Sequence, residues 1–236
     1  MPDLLPLFLN LAGRDVVLVG GGPVATAKLR QLLAAGAKVR IIAPEITPEM
    51  HDIVAEASPP QPSVARRPFE PADLDGAWLV VAAATPEANR QVAEVAESLR
   101  IFVNAVDDPA NASAFLSGVV RRDGVTLAIS TSGAAPALTA LLREALDAVL
   151  PRDLGAWVWQ ARAARTAWRR DGVPMEARKP RLLQALNALY GKEATAETAE
   201  IAEPKKGFAH PAISAVAFFE RGPRVPWLNA PEDSWL

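Results

Sequence analysis

The sequence predicts an α/β fold with a parallel sheet in its N-terminal half, followed by a hairpin-plus-helix segment and a small helical region. Three observations carry that reading. Apolar strand-like runs alternate with helix-periodic stretches through the first half of the chain, as they do when helices cover both faces of a parallel sheet. The run Trp78-Leu79-Val80-Val81-Ala82-Ala83-Ala84 is continuously apolar, which suits a strand buried on both faces. The first run, Val16-Val17-Leu18-Val19, passes directly into Gly20-Gly21-Gly22-Pro23-Val24-Ala25, a strand-to-helix turn rich in small residues.

The spacing Gly20-x-Gly22-x-x-Ala25 matches the dinucleotide fingerprint of Rossmann-like domains. The first glycine allows the tight turn, the second admits a pyrophosphate to the backbone, and the small third residue lets helix and strand pack closely. Free N–H groups at the helix start then face the phosphates. Ala27, Leu29, Leu32, Leu33 and Ala34 give the following helix its apolar stripe, and Gly36 closes it. A second strand follows at Val39-Arg40-Ile41-Ile42-Ala43, and Glu45 comes after it, about twenty residues past the last glycine position, where an acid commonly meets the adenosine ribose. A turn glycine alone would also suit an ordinary βαβ unit, but here strand, turn, helix and acid occur together.

Ser63-Val64-Ala65-Arg66-Arg67-Pro68-Phe69 reads as a short third strand, and its proline content places it at an edge. After the fourth strand, Thr85 suits an N-cap with Pro86 at the first helical position. That helix runs to about Leu99 with Ala88, Val92, Val95 and Ala96 inward. The fifth strand, Ile101-Phe102-Val103-Asn104-Ala105-Val106, ends at Asp107-Asp108-Pro109. Right-handed crossovers give the order 3-2-1-4-5, with the carboxyl ends of strands one, four and five lining one crevice.

The pattern changes near residue 112. Residues 114–122 and 125–130 are strand-like and meet at Asp123-Gly124, a favoured hairpin turn. A helix from Pro136 carries Leu138, Leu141, Leu142, Ala145, Leu146 and Val149. Residues 154–190 look helical, with Trp157 and Trp168 inward, and the proline-interrupted tail beyond Gly191 is apolar enough to dock on the body. The expected division is 1–112 for a cofactor-binding domain, 113–150 for a dimer-forming segment, 151–191 for a helical domain, and 192–236 for a tail of unassigned role.

Composition narrows the chemistry. The 236 residues include no cysteine and only His51 and His210, which excludes thiolate nucleophiles, disulfides and Cys-ligated metals and leaves little for a histidine triad. No apolar run approaches the roughly 18 residues of a membrane span, and the N-terminus lacks a basic signal region. A cytoplasmic protein with no membrane and no nucleic-acid partner is expected. Net charge is −2, yet residues 152–181 hold eight Lys/Arg against three acids. That basic stretch is either a solvated helix face or a surface for an anionic ligand.

Several motifs resemble one family. Pro6-Leu7-Phe8, Val19-Gly20-Gly21-Gly22-x-Val24-Ala25-x-x-Lys28, Ala83-Ala84-Thr85, Asn104-x-x-Asp107 and Ile129-Ser130-Thr131-x-Gly133-x-x-Pro136-x-Leu138 together look like the precorrin-2 dehydrogenase/sirohydrochlorin ferrochelatase family. That module is found alone or at the N-terminus of siroheme synthase. The match covers about residues 4–190; the GxGPG-type methyltransferase module is absent, and residues 192–236 match nothing in the family. The resemblance implies NAD-dependent oxidation of precorrin-2 to sirohydrochlorin and, in some members, insertion of Fe²⁺ to give siroheme. It also implies an intertwined homodimer, cofactor contacts at Gly22, Pro23, Val24, Pro44 and Glu45, and an essential aspartate at Asp107. Thr131 stands where some relatives have a serine implicated in control.

The residues read alone agree with this chemistry. A macrocycle losing a hydride and a proton needs a nicotinamide acceptor and one positioned base, and Asp107 ends a strand at the crevice. By position alone, Asp107 and Asp108 would serve equally well as turn formers before Pro109. Arg121, Arg122, Ser130 and Thr131 are candidate contacts for a polycarboxylate substrate, the two hydroxyls being equally suited to helix capping. A short-chain dehydrogenase is excluded, because the one tyrosine, Tyr190, has Ala194 four residues on. The alternative reading is a non-catalytic NAD-sensing module.

Overall fold

A computed structural model describes residues 4–116 and 118–197. They fall into two compact units, residues 4–116 with 130–136, and residues 118–129 with 137–197. The tail expected to dock on the body lies mostly outside the described residues.

The first unit holds a five-stranded parallel sheet in the order β3-β2-β1-β4-β5. Its strands are β1 (Asp15–Val19), β2 (Lys38–Ile42), β3 (Ser63–Ala65), β4 (Leu79–Ala82) and β5 (Phe102–Ala105). This is the order that right-handed crossovers predict for the five runs. Register is set by burial on both faces: Leu18 pairs with Ile41 and Val81, while Val17 pairs with Arg40 and Val80. Leu18, Ile41 and Val81 pack with Ala25 and Leu29 of α1 (Pro23–Ala34). On the other face Val17 and Val80 pack with Val92 and Ala96 of α3 (Pro86–Leu99).

Helix ends follow local chemistry. Pro86 opens α3 and Thr85 Oγ1 accepts from the Ala88 amide. The same Thr-Pro grammar opens α2 (Pro48–Glu56), where Thr47 Oγ1 accepts from Met50 N at 3.1 Å. The stripe on α1 is rotated from the one read in sequence. Ala27 and Ala34 are exposed, and Ala25, Thr26, Leu29 and Leu32 are buried, because Pro23 starts the helix directly on the glycine turn and so sets its phase. On α3 the fully buried set includes Asn89 and Ala93, with Ala88 and Val95 half-buried.

The second unit contains the hairpin β6 (Gly118–Arg122) and β7 (Val125–Ile129), then α4 (Pro136–Val149), α5 (Leu154–Arg170) and α6 (Met175–Glu197). Asp123 and Gly124 both adopt positive φ, 49° and 85°, as a two-residue hairpin turn requires. The Asp123 carboxylate also accepts from Gly155 N at the start of α5. The first strand starts four residues later than its apolar pattern suggests. Ser113 and Ala114 instead donate their amides to Val103 O of β5, each at 2.9 Å, so that stretch closes the sheet of the first unit. Trp157 and Trp168 are half-buried on α5.

Candidate functional site

The glycine turn shows what each small residue does. Gly20 sits at φ 126°, and a Cβ there would lie 2.2 Å from Ala83 O. A Cβ on Gly21 would lie 1.9 Å from Glu45 O, so this glycine lets the chain after β2 lie against the turn; Thr47 N donates to Gly21 O at 2.9 Å. A Cβ on Gly22 would meet nothing within 4 Å. Open space over Gly22, backed by the N–H groups of the first turn of α1, suits a pyrophosphate. Ala25 is fully buried and fills the helix–strand contact.

A clasp not visible in the sequence holds this turn to the start of α2. The Thr26 hydroxyl donates to Gly22 O at 2.9 Å and stands 2.9 Å from the Thr47 hydroxyl. Pro44 and Glu45 are exposed beyond β2. Arg66 is exposed beyond β3, and Ala43 N donates to Ala65 O beside it.

At the carboxyl ends of β4 and β5 lies a cleft of about 290 Å³ lined by Val24, Ala83, Ala84, Pro86, Asn89, Val106, Asp107 and Asp108. Val24, at the start of α1 just past the glycine turn, and residues of the strand-five exit thus share one space. Asn89 Oδ1 accepts from Ala84 N at 3.0 Å and fixes the wall after β4. The two aspartates differ. Asp108 accepts from Asn111 Nδ2 at 2.7 Å and, through its carbonyl, from Asn111 N at 3.2 Å, so it is engaged in the turn. Asp107 has φ 57°, a left-handed conformation that aspartate tolerates better than most residues.

Lys28 is the charged side chain that sequence reasoning gave no role. It is half-buried on α1. Burial pushes its ammonium below the ordinary lysine value, and the negative charge of Asp107 acts in the opposite direction. A lysine between the buried Ala25 and Leu29 is the signal that would have found it.

The remaining candidates are distributed as follows. Ser130 Oγ accepts from Ser132 N and Thr131 Oγ1 from Ala135 N, so both hydroxyls order the turn before α4. Gly133 of that turn abuts Pro109 and Phe115. In the second unit Arg122 donates to the carbonyls of Asp147, Leu150 and Pro151 and to the Asp147 carboxylate. It thereby satisfies the end of α4, whereas Arg121 is exposed. Among the described residues no group of three His, Cys, Asp or Glu could hold a metal ion. None of the described helices is long and apolar enough to cross a membrane.

A parallel sheet ordered 3-2-1-4-5, a glycine turn open at Gly22 and a cleft at the strand ends define a nicotinamide-dinucleotide-binding module of the Rossmann type. Comparison with known families specifies it further. Residues 7–118 match the family described as putative NAD(P)-binding, and residues 122–148 match the sirohaem biosynthesis protein central family. Through these two matches the chain is similar to proteins of siroheme biosynthesis.

Siroheme synthase 2 of Aeromonas hydrophila subsp. hydrophila is 45% identical over 155 residues, covering 65% of this chain and 32% of that protein. Siroheme synthase 2 of Aeromonas salmonicida is 46% identical over 154 residues, covering 65% and 31%. The chain therefore spans about a third of the length of these curated relatives. Among solved structures it is similar to SirC, precorrin-2 dehydrogenase, with a TM-score of 0.58 and 25% identity over 77% of this chain and 88% of that one.

Proposed function

We propose that the protein oxidises precorrin-2 to sirohydrochlorin with NAD as hydride acceptor, and that Asp107 is the base. The observation that carries this reading is the shared cleft, in which Val24 at the start of α1, two residues past Gly22, and Asp107 line the same space. When bound, the nicotinamide supplies a two-electron acceptor. The chain's own residues bind the pyrophosphate at Gly22 and the first turn of α1, hold the adenosine ribose near Pro44 and Glu45, and take the proton at the Asp107 carboxylate. One C–H bond of the substrate is lost as hydride and a second hydrogen leaves as a proton, which balances a two-electron oxidation. Support for the substrate comes from the family and from the similarity to a structure described as a precorrin-2 dehydrogenase. The exposed Arg121 and the basic stretch over residues 152–181 offer partners for a polycarboxylate macrocycle.

The working form is a homodimer in this proposal. On α4, Leu138, Leu141, Leu142, Leu146 and Val149 are exposed, an apolar stripe at helical spacing that a second copy would cover.

The test is an absorbance assay with precorrin-2 and NAD, followed by added Fe²⁺. Asp107→Ala should abolish sirohydrochlorin formation and leave NAD binding within about twofold. Oxidation by Asp107→Ala at the wild-type rate would falsify the assignment of the base, whereas NAD binding without any oxidation by the wild type would favour an NAD-sensing module. A change in absorbance on adding Fe²⁺ above the rate without protein would add metal insertion to the activity.

A further inference from the structure

The loop that carries Asp107 is tied at both ends. Val106 N donates to Ala82 O at 2.9 Å, which anchors the exit from β5 to the neighbouring strand. β5 is the end strand of the sheet, and the chain returns along its open side. There both backbone groups of Val103 are taken. Its amide donates to Ser113 Oγ at 2.9 Å, and its carbonyl accepts from the Ser113 and Ala114 amides. Asn104, the next residue, donates from Nδ2 to Ala114 O at 2.9 Å. Residues 107–112 thus form a closed loop whose two ends are held to neighbouring points of the sheet.

Within the loop, Asp108 accepts from Asn111 through both its carbonyl and its carboxylate. Pro109 abuts the turn of residues 130–136, where a Cβ on Gly133 would stand 3.1 Å from Pro109 Cγ. Asp107 has no tie of its own: among the described residues none hydrogen-bonds to it. Yet it holds φ 57° and lines the cleft. Aspartate tolerates the left-handed region without favouring it. A residue stays there only where its surroundings fix the chain on both sides, and the ties at Val106 and at Ser113 do so.

We propose that Ser113 and Asn104 are positioning residues for Asp107: by closing the loop on β5 they keep the aspartate in the left-handed conformation in which it lines the cleft. Neither residue lines the cleft itself, and their effect on turnover passes through the loop. Once the closure is lost, Asp107 relaxes to negative φ, the chain changes direction there, and the carboxylate moves away from the substrate. Proton transfer is sensitive to such a displacement, because a misplacement of about 1 Å is enough to slow a reaction by about a hundredfold. The inference rests on the reading of Asp107 as the base, and the experiment separates the two.

Turnover at saturating precorrin-2 and NAD is measured for the wild type, Ser113→Ala, Ser113→Thr and Asn104→Leu, together with NAD affinity. The Asp107 backbone is read in the same proteins by NMR, as the strong intraresidue HN–Hα cross-peak that a positive φ gives, assigned through Asp107→Asn. Each protein is assayed well below its melting temperature, where a loss of stability alone moves neither readout. Ser113 is exposed and Asn104 buried, so Ser113→Ala is the milder change and Asn104→Leu tests the other half of the clasp. Both should lose the cross-peak and at least about tenfold in kcat, with NAD affinity unchanged. Ser113→Thr keeps the hydroxyl and should restore both. An Asp107 that stays at positive φ in Ser113→Ala and Asn104→Leu overturns the inference. If φ changes and kcat does not, Asp107→Ala decides. An inactive Asp107→Ala then overturns the inference as well, whereas an active one removes the base assignment and leaves the clasp standing.

Discussion

Asn89 of α3 accepts at Oδ1 a 3.0 Å hydrogen bond from the amide of Ala84, the second residue past β4. The side chain is buried, and both residues line the cleft. A polar group in that position has one clear task. It satisfies an amide that has left the sheet ladder and so fixes the wall against which a dinucleotide would lie.

Replacing Asn89 by alanine should therefore do two things. Leaving the amide without its acceptor costs about 1–3 kcal/mol, read as a fall of several degrees in Tm. The loosened wall also weakens NAD binding. Asn89→Asp keeps an acceptor at the same place and should bind NAD more tightly than Asn89→Ala. Equal affinities for the two variants would mean that the bond does not shape the site.

The three glycines should respond differently to alanine. Gly20→Ala drives a Cβ into Ala83 O at an unfavourable φ, and Gly21→Ala drives one into Glu45 O. Both contacts are with backbone, which has little room to yield, so both variants should lose stability or soluble expression. Gly22→Ala meets open space and should melt close to wild type while losing at least about tenfold in NAD affinity, because the methyl occupies the place of the pyrophosphate. Thermal melts and an NAD titration on the same preparations distinguish the cases. A Gly22→Ala protein that binds NAD normally would move the phosphate site elsewhere.

Local and periodic features were legible in the sequence: five strands in the right order, the glycine turn, and Thr85-Pro86 opening α3. Each depends on neighbours in the chain or on a run of apolar residues. Features that depend on tertiary partners were not legible. Arg122 reads as a candidate contact for a polycarboxylate substrate, yet it binds groups on residues 147, 150 and 151. Asn89 is absent from the apolar stripe read for its helix, yet it is buried and holds the Ala84 amide. Phe115 and Leu116 read as strand, but the backbone just before them pairs with Val103, and nothing local announces that choice.

Acid stability should depend on Asp73. Hydrogen bonds from Arg67 at 2.8 and 2.6 Å, and then one from Glu70 N at 2.8 Å, hold its carboxyl below the usual range against the opposing effect of burial. A depressed folded value means the unfolded chain takes up the proton first. The contribution is therefore complete above about pH 4 and is lost as pH falls through the folded value. Thermal melts between about pH 7 and about pH 3 should show Asp73→Asn less stable than wild type at neutrality, with the gap closing below about pH 4. A gap that stays constant with pH would assign the effect to packing.

Cofactor choice should be set by the two side chains past β2 and β3. Glu45 follows β2 and its backbone lies against Gly21, and the proposed function assigns its carboxylate to the ribose. A carboxylate there accepts hydrogen bonds from ribose hydroxyls and repels a 2′-phosphate. Arg66 stands beyond the adjoining strand, beside the Ala43–Ala65 hydrogen bond, and offers the opposite charge. The wild type should thus prefer NAD, with the preference moderated by Arg66. Glu45→Gln removes the repulsion and should narrow the ratio of kcat/KM for NAD over NADP by about tenfold, about 1.4 kcal/mol. Adding Arg66→Ala to Glu45→Gln should lower NADP use again while leaving NAD use nearly unchanged, because only the phosphate needs the guanidinium. If the ratio is the same in Glu45→Gln and wild type, the ribose is held by other residues.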